Sequence, residues 1–323
     1  MRNYKVVKYS SLHYKEWNAF VLNAKNATFL FHRNFIEYHQ DRFEDYSLMV
    51  YSNKKLMLIL PANIEGQVLY SHQGLSYGSL VLPNKIAFQN VLEGVHALLK
   101  FLSNNNINVF VFKQIPKIYN LRPSDEMEYF LFILKAKLFR KDVSMTIPLA
   151  NKLEFSSLRK RQLKLAMNSG LNFVLNGDMT SFWNEILTPN LKEKHGVKPV
   201  HTLSEIMKLR EMFPNNIKQY NVYYKDELLA GCTVFETKCV AHAQYMSTRN
   251  NNKGALDYLI NQLISNVYKD KDYFDFGMSN ENQGMNINEG LLQWKQSFGA
   301  SSVIHDFYQI DVANYTLLKE ILI

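Results

Sequence analysis

The chain has 323 residues, 47% of them hydrophobic and 20% charged, with a formal net charge of +8 and two cysteines. That length exceeds what one hydrophobic core usually organises, and the composition excludes a largely disordered chain, so two globular domains are expected. The sequence holds no apolar run long enough for a membrane span or a signal-peptide core, which points to a cytoplasmic protein, and its positive charge suits phosphate-bearing partners.

In chain order, residues 15–26 read as a short helix around Trp17, Phe20 and Val21, and residues 29–42 as a segment rich in aromatics and histidine. Runs of β-forming and aliphatic residues follow at 46–51, 56–64 and 68–71, separated by Ser-Asn-Lys and Glu-Gly turn signals. They predict an antiparallel meander closed by Gly74 and Gly78. Val91, Leu92, Val95, Leu98, Leu99 and Leu102 share one helical face, and 107–112 reads as a buried strand. Ser124 and the acidic residues behind it predict a helix to about Lys137, with a closing strand at 143–148.

A new helix opening at Ser156 or Ser157 and stopping at Gly170 places a boundary near Leu149, giving domains over 1–149 and 150–323. This helix carries the dense basic cluster Arg159, Lys160, Arg161 and Lys164. Thr202-Leu-Ser-Glu205 is a capping box whose helix must halt before Pro214. Strand patterns return at 220–224, 228–235 and 239–247 as a second meander. Arg249-Asn-Asn-Asn-Lys-Gly-Ala255 follows at once, then a helix whose apolar pairs recur every four residues from Ala255 to Tyr268. A strand at 273–276, a helix at 289–298 and a strand at 302–311 complete the order, which repeats that of the first half. Residues 65–73 and 236–244 resemble each other with a one-residue slip, in keeping with an internal duplication. The expected fold class is α/β (α+β): two tandem domains, each a mixed, largely antiparallel sheet flanked by helices. Cys232 and Cys239 lack the paired Cys/His spacing of a zinc site, so free thiols and no metal are expected.

A meander, a glycine-containing loop and an amphipathic helix resemble the part of the GNAT acyltransferase fold that holds coenzyme A, where N–H groups at a helix start face a pyrophosphate. Arg249 to Ala255 resembles that loop with a single glycine, Gly254, and a longer polar lead. The resemblance implies that Arg249, Lys253, Gly254 and Ala255 bind the carrier, with acyl-coenzyme A as donor. Phe274-Asp-Phe-Gly277, Gly290-Leu291 and Trp294-Lys-Gln-Ser-Phe-Gly299 resemble the closing pattern of the duplicated Fem-type transferases, and Arg159, Lys164 and Ala166 fit its Arg-x-x-x-x-Lys-x-Ala. Ser71 to Gly78 and Phe274 to Gly299 are also similar to GNAT-like proteins of bacterial surface-polysaccharide pathways.

The resemblance implies transfer of an acyl or aminoacyl group from an activated carrier to an amine of a sugar-nucleotide or cell-envelope precursor. Such chemistry needs a donor where the oxyanion develops, a base for the amine proton and tight positioning, without a covalent nucleophile or a metal. Lys295 matches the Fem-type lysine beside the reacting carbonyl and takes that polarising role. His242, Gln244 and Tyr245 lie on the strand before the loop, with His242 the candidate base, Tyr245 a further catalytic candidate and Gln244 a substrate contact. Strict alternation sends His242 and Gln244 to one face and Tyr245 to the other. Ser279, Asn280 and Asn286 sit in a polar loop that suits sugar hydroxyls. His72 and Tyr77 stand beside glycines that let a ligand approach the backbone. Arg33, Lys113 and Arg159 are candidate phosphate ligands, and His195 a substrate contact.

Two further readings stay open. One is a Fem-like ligase taking its aminoacyl group from charged transfer RNA, for which the basic helix would serve. The other is a non-catalytic module recognising a glycan precursor or a protein. Gly-x-x-x-x-Gly-Lys-Ser/Thr and Gly-x-Gly-x-x-Gly are absent from the sequence, which sets aside P-loop kinases and dinucleotide-binding dehydrogenases.

Overall fold

The computed structural model describes residues 3–78, 80–250 and 252–321, and of His195 and Glu320 the backbone only. The chain divides into two compact units, Met1–Asp142 with Ile304–Ile323, and Val143–Val303. The division falls at Asp142 rather than at Leu149, and the end of the chain belongs to the first unit. Phe307–Asp311 pairs antiparallel with Val109–Lys113, and Ile310, Val312 and Leu318 complete the first core.

In the first unit, Tyr4–Lys8, Leu48–Ser52 and Lys55–Leu60 form a three-stranded antiparallel sheet in that order. A second ladder runs Glu44–Asp45, Asn63–Glu65, Val68–Tyr70, Val109–Lys113 and the end of Ser301–Asp311, with Val68–Tyr70 parallel to its neighbour Val109–Lys113. The meander expected over 46–71 is therefore divided between two sheets. Pro61, which lacks an N–H for a ladder, stands where the Lys55–Leu60 strand ends. The Phe88–Asn104 helix buries the stripe read from its sequence, Val91 through Leu102. Gly94 lets it lie directly on Leu58, because any Cβ there would overlap the leucine side chain.

The second unit has the strand order Val143–Pro148 (the end of Lys137–Pro148), Tyr273–Met278, Val240–Thr248, Glu227–Glu236, Ile217–Tyr224 and Leu171–Leu175. Every neighbouring pair is antiparallel except Val240–Thr248 beside Tyr273–Met278, which is parallel and linked by the Ala255–Gln262 helix and the wider turn Leu263–Val267. Ala255, Leu259, Ile260, Leu263 and Ile264 of that crossover pack with Met145, Ile147, Cys232, Val234, Ala241, Ala243, Phe274 and Phe276 in one core. Burying each of the larger side chains contributes about 1.5–3 kcal/mol. The capping box at Thr202 and Glu205 opens a helix over Leu203–Met212 as its sequence predicts. Both cysteines are free thiols, and burial pushes the Cys232 thiol up. Among the described residues no helix is long and apolar enough to cross a membrane.

Candidate active site

Three neighbouring strands of the second unit bring together a histidine and a carboxylate. His242 and Asp275 are direct partners in the parallel pair, and Asp275 faces Thr146 across the next ladder. His242 Nδ1 lies 2.9 Å from Asp275 Oδ2. The other carboxylate oxygen accepts from the hydroxyl of Ser144, from Thr146 Oγ1 at 3.1 Å and from the Gly277 N–H at 2.9 Å. Asp275 is fully buried, whereas the His242 side chain keeps 18% of its surface. The carboxylate therefore fixes the imidazole through Nδ1 and leaves Nε2 as the ring nitrogen for chemistry. Gly277, at φ +75°, fits against the ring, since a Cβ there would stand 3.2 Å from His242 Cε1.

The strand carrying His242 departs from strict alternation. Val234 pairs with Ala243 and Thr233 with Tyr245, so Gln244 is the extra residue of a β-bulge. Phe235 pairs with His242, and Phe235 and Thr233 lie two apart on one strand, so His242 and Tyr245 share a face. This corrects the expectation that they oppose each other. His201 packs against both Phe235 and Tyr245 on that face, and its Nδ1 is 2.6 Å from the Tyr245 hydroxyl. The Trp183 ring meets Tyr245 edge-on at 4.9 Å. Burial pushes the Tyr245 phenol up to about 12, so it stays protonated at neutral pH. The side-chain oxygen of Gln244 is buried without a hydrogen-bond partner.

Parallel pairing with Tyr273–Met278 covers only Val240–His242. Beyond that point the strands part, and among the described residues the 243–248 edge has no strand partner on that side. Its far end is met by Asn190, whose Nδ2 donates to Ser247 Oγ and to the Thr248 carbonyl, both at 2.8 Å. The loop that follows includes Asn251, which lies outside the described residues. Gly254 has φ +76° and caps the Ala255–Gln262 helix. Its N–H donates to Asn252 Oδ1 at 2.9 Å, and that of the buried Ala255 to the Asn252 carbonyl at 2.8 Å. Arg249 donates to the Leu228 carbonyl and pairs with Glu185, each at 2.7 Å, and the Lys253 ammonium sits 3.8 Å over the Tyr224 ring.

Lys295 does not face open space. It is 1% exposed, and its ammonium donates to the carbonyls of Gly277 at 2.8 Å and Met278 at 2.7 Å and to Ser279 Oγ at 3.0 Å. All three N–H bonds are engaged, which leaves none to polarise a substrate carbonyl. Burial pushes the ammonium down to about 8, with Asp275 acting in the opposite direction. The lysine clamps the irregular strand end between Asp275 and Met278 that shapes the dyad.

The remaining candidates of this unit are also engaged internally. Arg159 pairs with Asp257, donates to Ser297 Oγ at 3.0 Å and stacks 4.4 Å over Phe298, tying three helices together. Burial lowers its pKa. Asn280 Oδ1 accepts from the Val143 N–H at 2.6 Å, and Asn286 Oδ1 from Asn282 at 2.9 Å in the small hairpin of Asn280–Glu281 and Asn286–Ile287. His195 ends the Thr188–His195 helix, and its side chain lies outside the described residues.

Four candidates belong to the first unit. Arg33 is buried between Glu37 at 2.9 Å and Asp45 at 2.5 Å, over the Tyr9 ring. Lys113 donates to the carbonyls of His72, Gln73 and Leu75 and is pushed down to about 8, chiefly by burial. His72 is buried against His39 with ring centroids 5.1 Å apart, and the Tyr77 hydroxyl donates to Thr28 at 3.0 Å. These side chains build the unit's interior. Asp275, Ser144, Thr146 and His201 received no role from the sequence. A carboxylate between Phe274 and Phe276 in a buried strand is the signal that could have identified Asp275.

No protein-family model matches the chain, and no curated protein matches it. Among solved structures, that of FemX superposes with a TM-score of 0.64 at 11% identity, covering 98% of this chain and 100% of the other. L-PGS from Bacillus licheniformis gives 0.58 at 14% identity, covering 94% and 95%. A conserved protein of unknown function from Bacteroides thetaiotaomicron VPI-5482 gives 0.59 at 9% identity, covering 96% and 99%. At such identities the likeness is one of fold. Two units of mixed, mostly antiparallel sheet flanked by helices, superposing over nearly their full length on FemX, give this chain the same fold as that structure.

Proposed function

We propose that this chain transfers an acyl group from an activated carrier, acyl-coenzyme A, to an amine of a sugar-nucleotide or cell-envelope precursor. The observation that carries this reading is the His242–Asp275 pair at the point where two parallel strands part. In the proposed reaction the amine nitrogen attacks the donor carbonyl, a C–N bond forms, and the C–S bond to the carrier breaks. His242 Nε2 takes the amine proton while Asp275 holds the imidazole, a contribution of about 10²–10⁴ in rate. Backbone N–H groups on the unpartnered edge beyond His242 supply donors for the developing oxyanion.

One observation favours a second donor. The amides of Gly254 and Ala255 are taken by Asn252, and Arg249 by Leu228 and Glu185, so the loop offers a pyrophosphate few free donors. An aminoacyl ester of transfer RNA needs no such cradle. The test is donor consumption in the presence of an amine panel, with thermal shift alongside. Coenzyme A at about 100 times its dissociation constant stabilises by about 2.7 kcal/mol if it binds. Consumption of an aminoacyl ester without any thioester turnover replaces the first donor with the second. Consumption of neither removes the transferase reading.

A further inference from the structure

The Ser157–Met167 helix buries Arg159, Leu163 and Ala166 and leaves the rest of its circumference to solvent. That outer surface is unusual for a polar helix. Leu158 is 57% exposed, Leu165 73% and Met167 59%, and Leu153 just before the helix 60%. Leu158, Arg161 and Leu165 follow one another at spacings of three and four and so form one strip. Lys160, Lys164 and Met167 form the next, so that each strip carries both cations and large apolar groups. Lys152, Lys160, Arg161 and Lys164 concentrate positive charge in this segment, where Lys160 pairs with Glu154. Beyond the helix, Gly254 sits against Ala166, which brings the Lys253 loop to the same end.

We propose that this helix face docks on an anionic lipid bilayer. Phosphates of a nucleic acid would engage the cations and leave the leucines in water. A bilayer satisfies both, with Leu158 and Leu165 entering the acyl boundary and Lys160, Arg161 and Lys164 reaching the head groups on their flexible stems. Arg159 takes no part, because Asp257 and Ser297 hold it inside.

The test is co-sedimentation of the full chain with vesicles of phosphatidylcholine alone and of equimolar phosphatidylcholine and phosphatidylglycerol. Wild type is expected on the anionic vesicles only. Leu158→Gln with Leu165→Gln, and separately Lys160→Gln with Arg161→Gln and Lys164→Gln, each lower partitioning at least about tenfold. Both keep the wild-type melting temperature, since these side chains are exposed. Absence of binding to the anionic vesicles overturns the proposal, as does undiminished binding by the leucine variant. Retention of total transfer RNA that depends on the three cations but not on the leucines, without vesicle binding, assigns the face to nucleic acid instead.

Discussion

Replacing Lys295 with methionine separates a structural lysine from a catalytic one. Methionine keeps much of the side chain's volume but removes an ammonium that holds the Gly277 and Met278 carbonyls and Ser279 Oγ. Each buried carbonyl left without a donor costs about 1–3 kcal/mol, while removing the buried charge returns part of that. The balance is a loss of about 1–3 kcal/mol, because the Ser279 hydroxyl can satisfy only one of the two carbonyls. In a unit of this size that lowers the melting temperature by roughly 2–12 °C, measurable by calorimetry or urea unfolding. Transfer falls together with stability, because the clamp sets the strand end on which Asp275 and Gly277 sit. A variant with wild-type stability and abolished transfer would refute this reasoning and return Lys295 to the reacting carbonyl.

Other outcomes follow from the same geometry. Asp275→Asn keeps an amide oxygen to accept from Ser144, Thr146 and Gly277 but sets an uncharged N–H₂ group against His242 Nδ1, so transfer drops by about 10²–10⁴ with a smaller effect on KM, read from steady-state kinetics. Burial, followed by His39, Lys113 and Arg33, holds the His72 pKa well below 6.5. The folded state thus refuses a proton that the unfolded chain accepts: stability from this group is complete above pH 6.5 and is lost as the pH falls below it. His39 titrates in the same direction through its own burial. Urea midpoints of the first unit therefore decline from about pH 7 to about pH 5, and His72→Asn flattens that slope. Gly231→Ala drives a Cβ into the Phe182 ring and costs about 1–3 kcal/mol by the same unfolding assay.

The sequence displayed much of the second unit because its signals are local. Capping at Thr202, the three-strand run over 217–248 and the four-residue apolar rhythm after Ala255 each depend on near neighbours, and each emerges at about the place its pattern indicates. The Tyr4–Lys8 strand was not among the elements read from the sequence, because Val6 and Val7 stand side by side and nothing local says which strand it joins. Long-range features were less visible. A bulge adds one residue without altering composition, so the shared face of His242 and Tyr245 could not be counted from alternation. Arg33, Lys113 and Arg159 were read as ligands for phosphate because charge is legible, whereas the oxygens turned inward to meet them are set by tertiary structure. Asp275 lay inside a quoted motif, yet its partner is thirty-three residues away in sequence, and only the parallel register joins them.

The most direct test of the account is the rate of acyl transfer by wild type and by His242→Ala, measured with the same donor and amine across neutral pH. The account predicts that kcat/KM falls by about 10²–10⁴ while the variant stays folded, with a stability loss of no more than about 1–3 kcal/mol from the lost Nδ1 bond to Asp275. Undiminished transfer by the folded variant would contradict it.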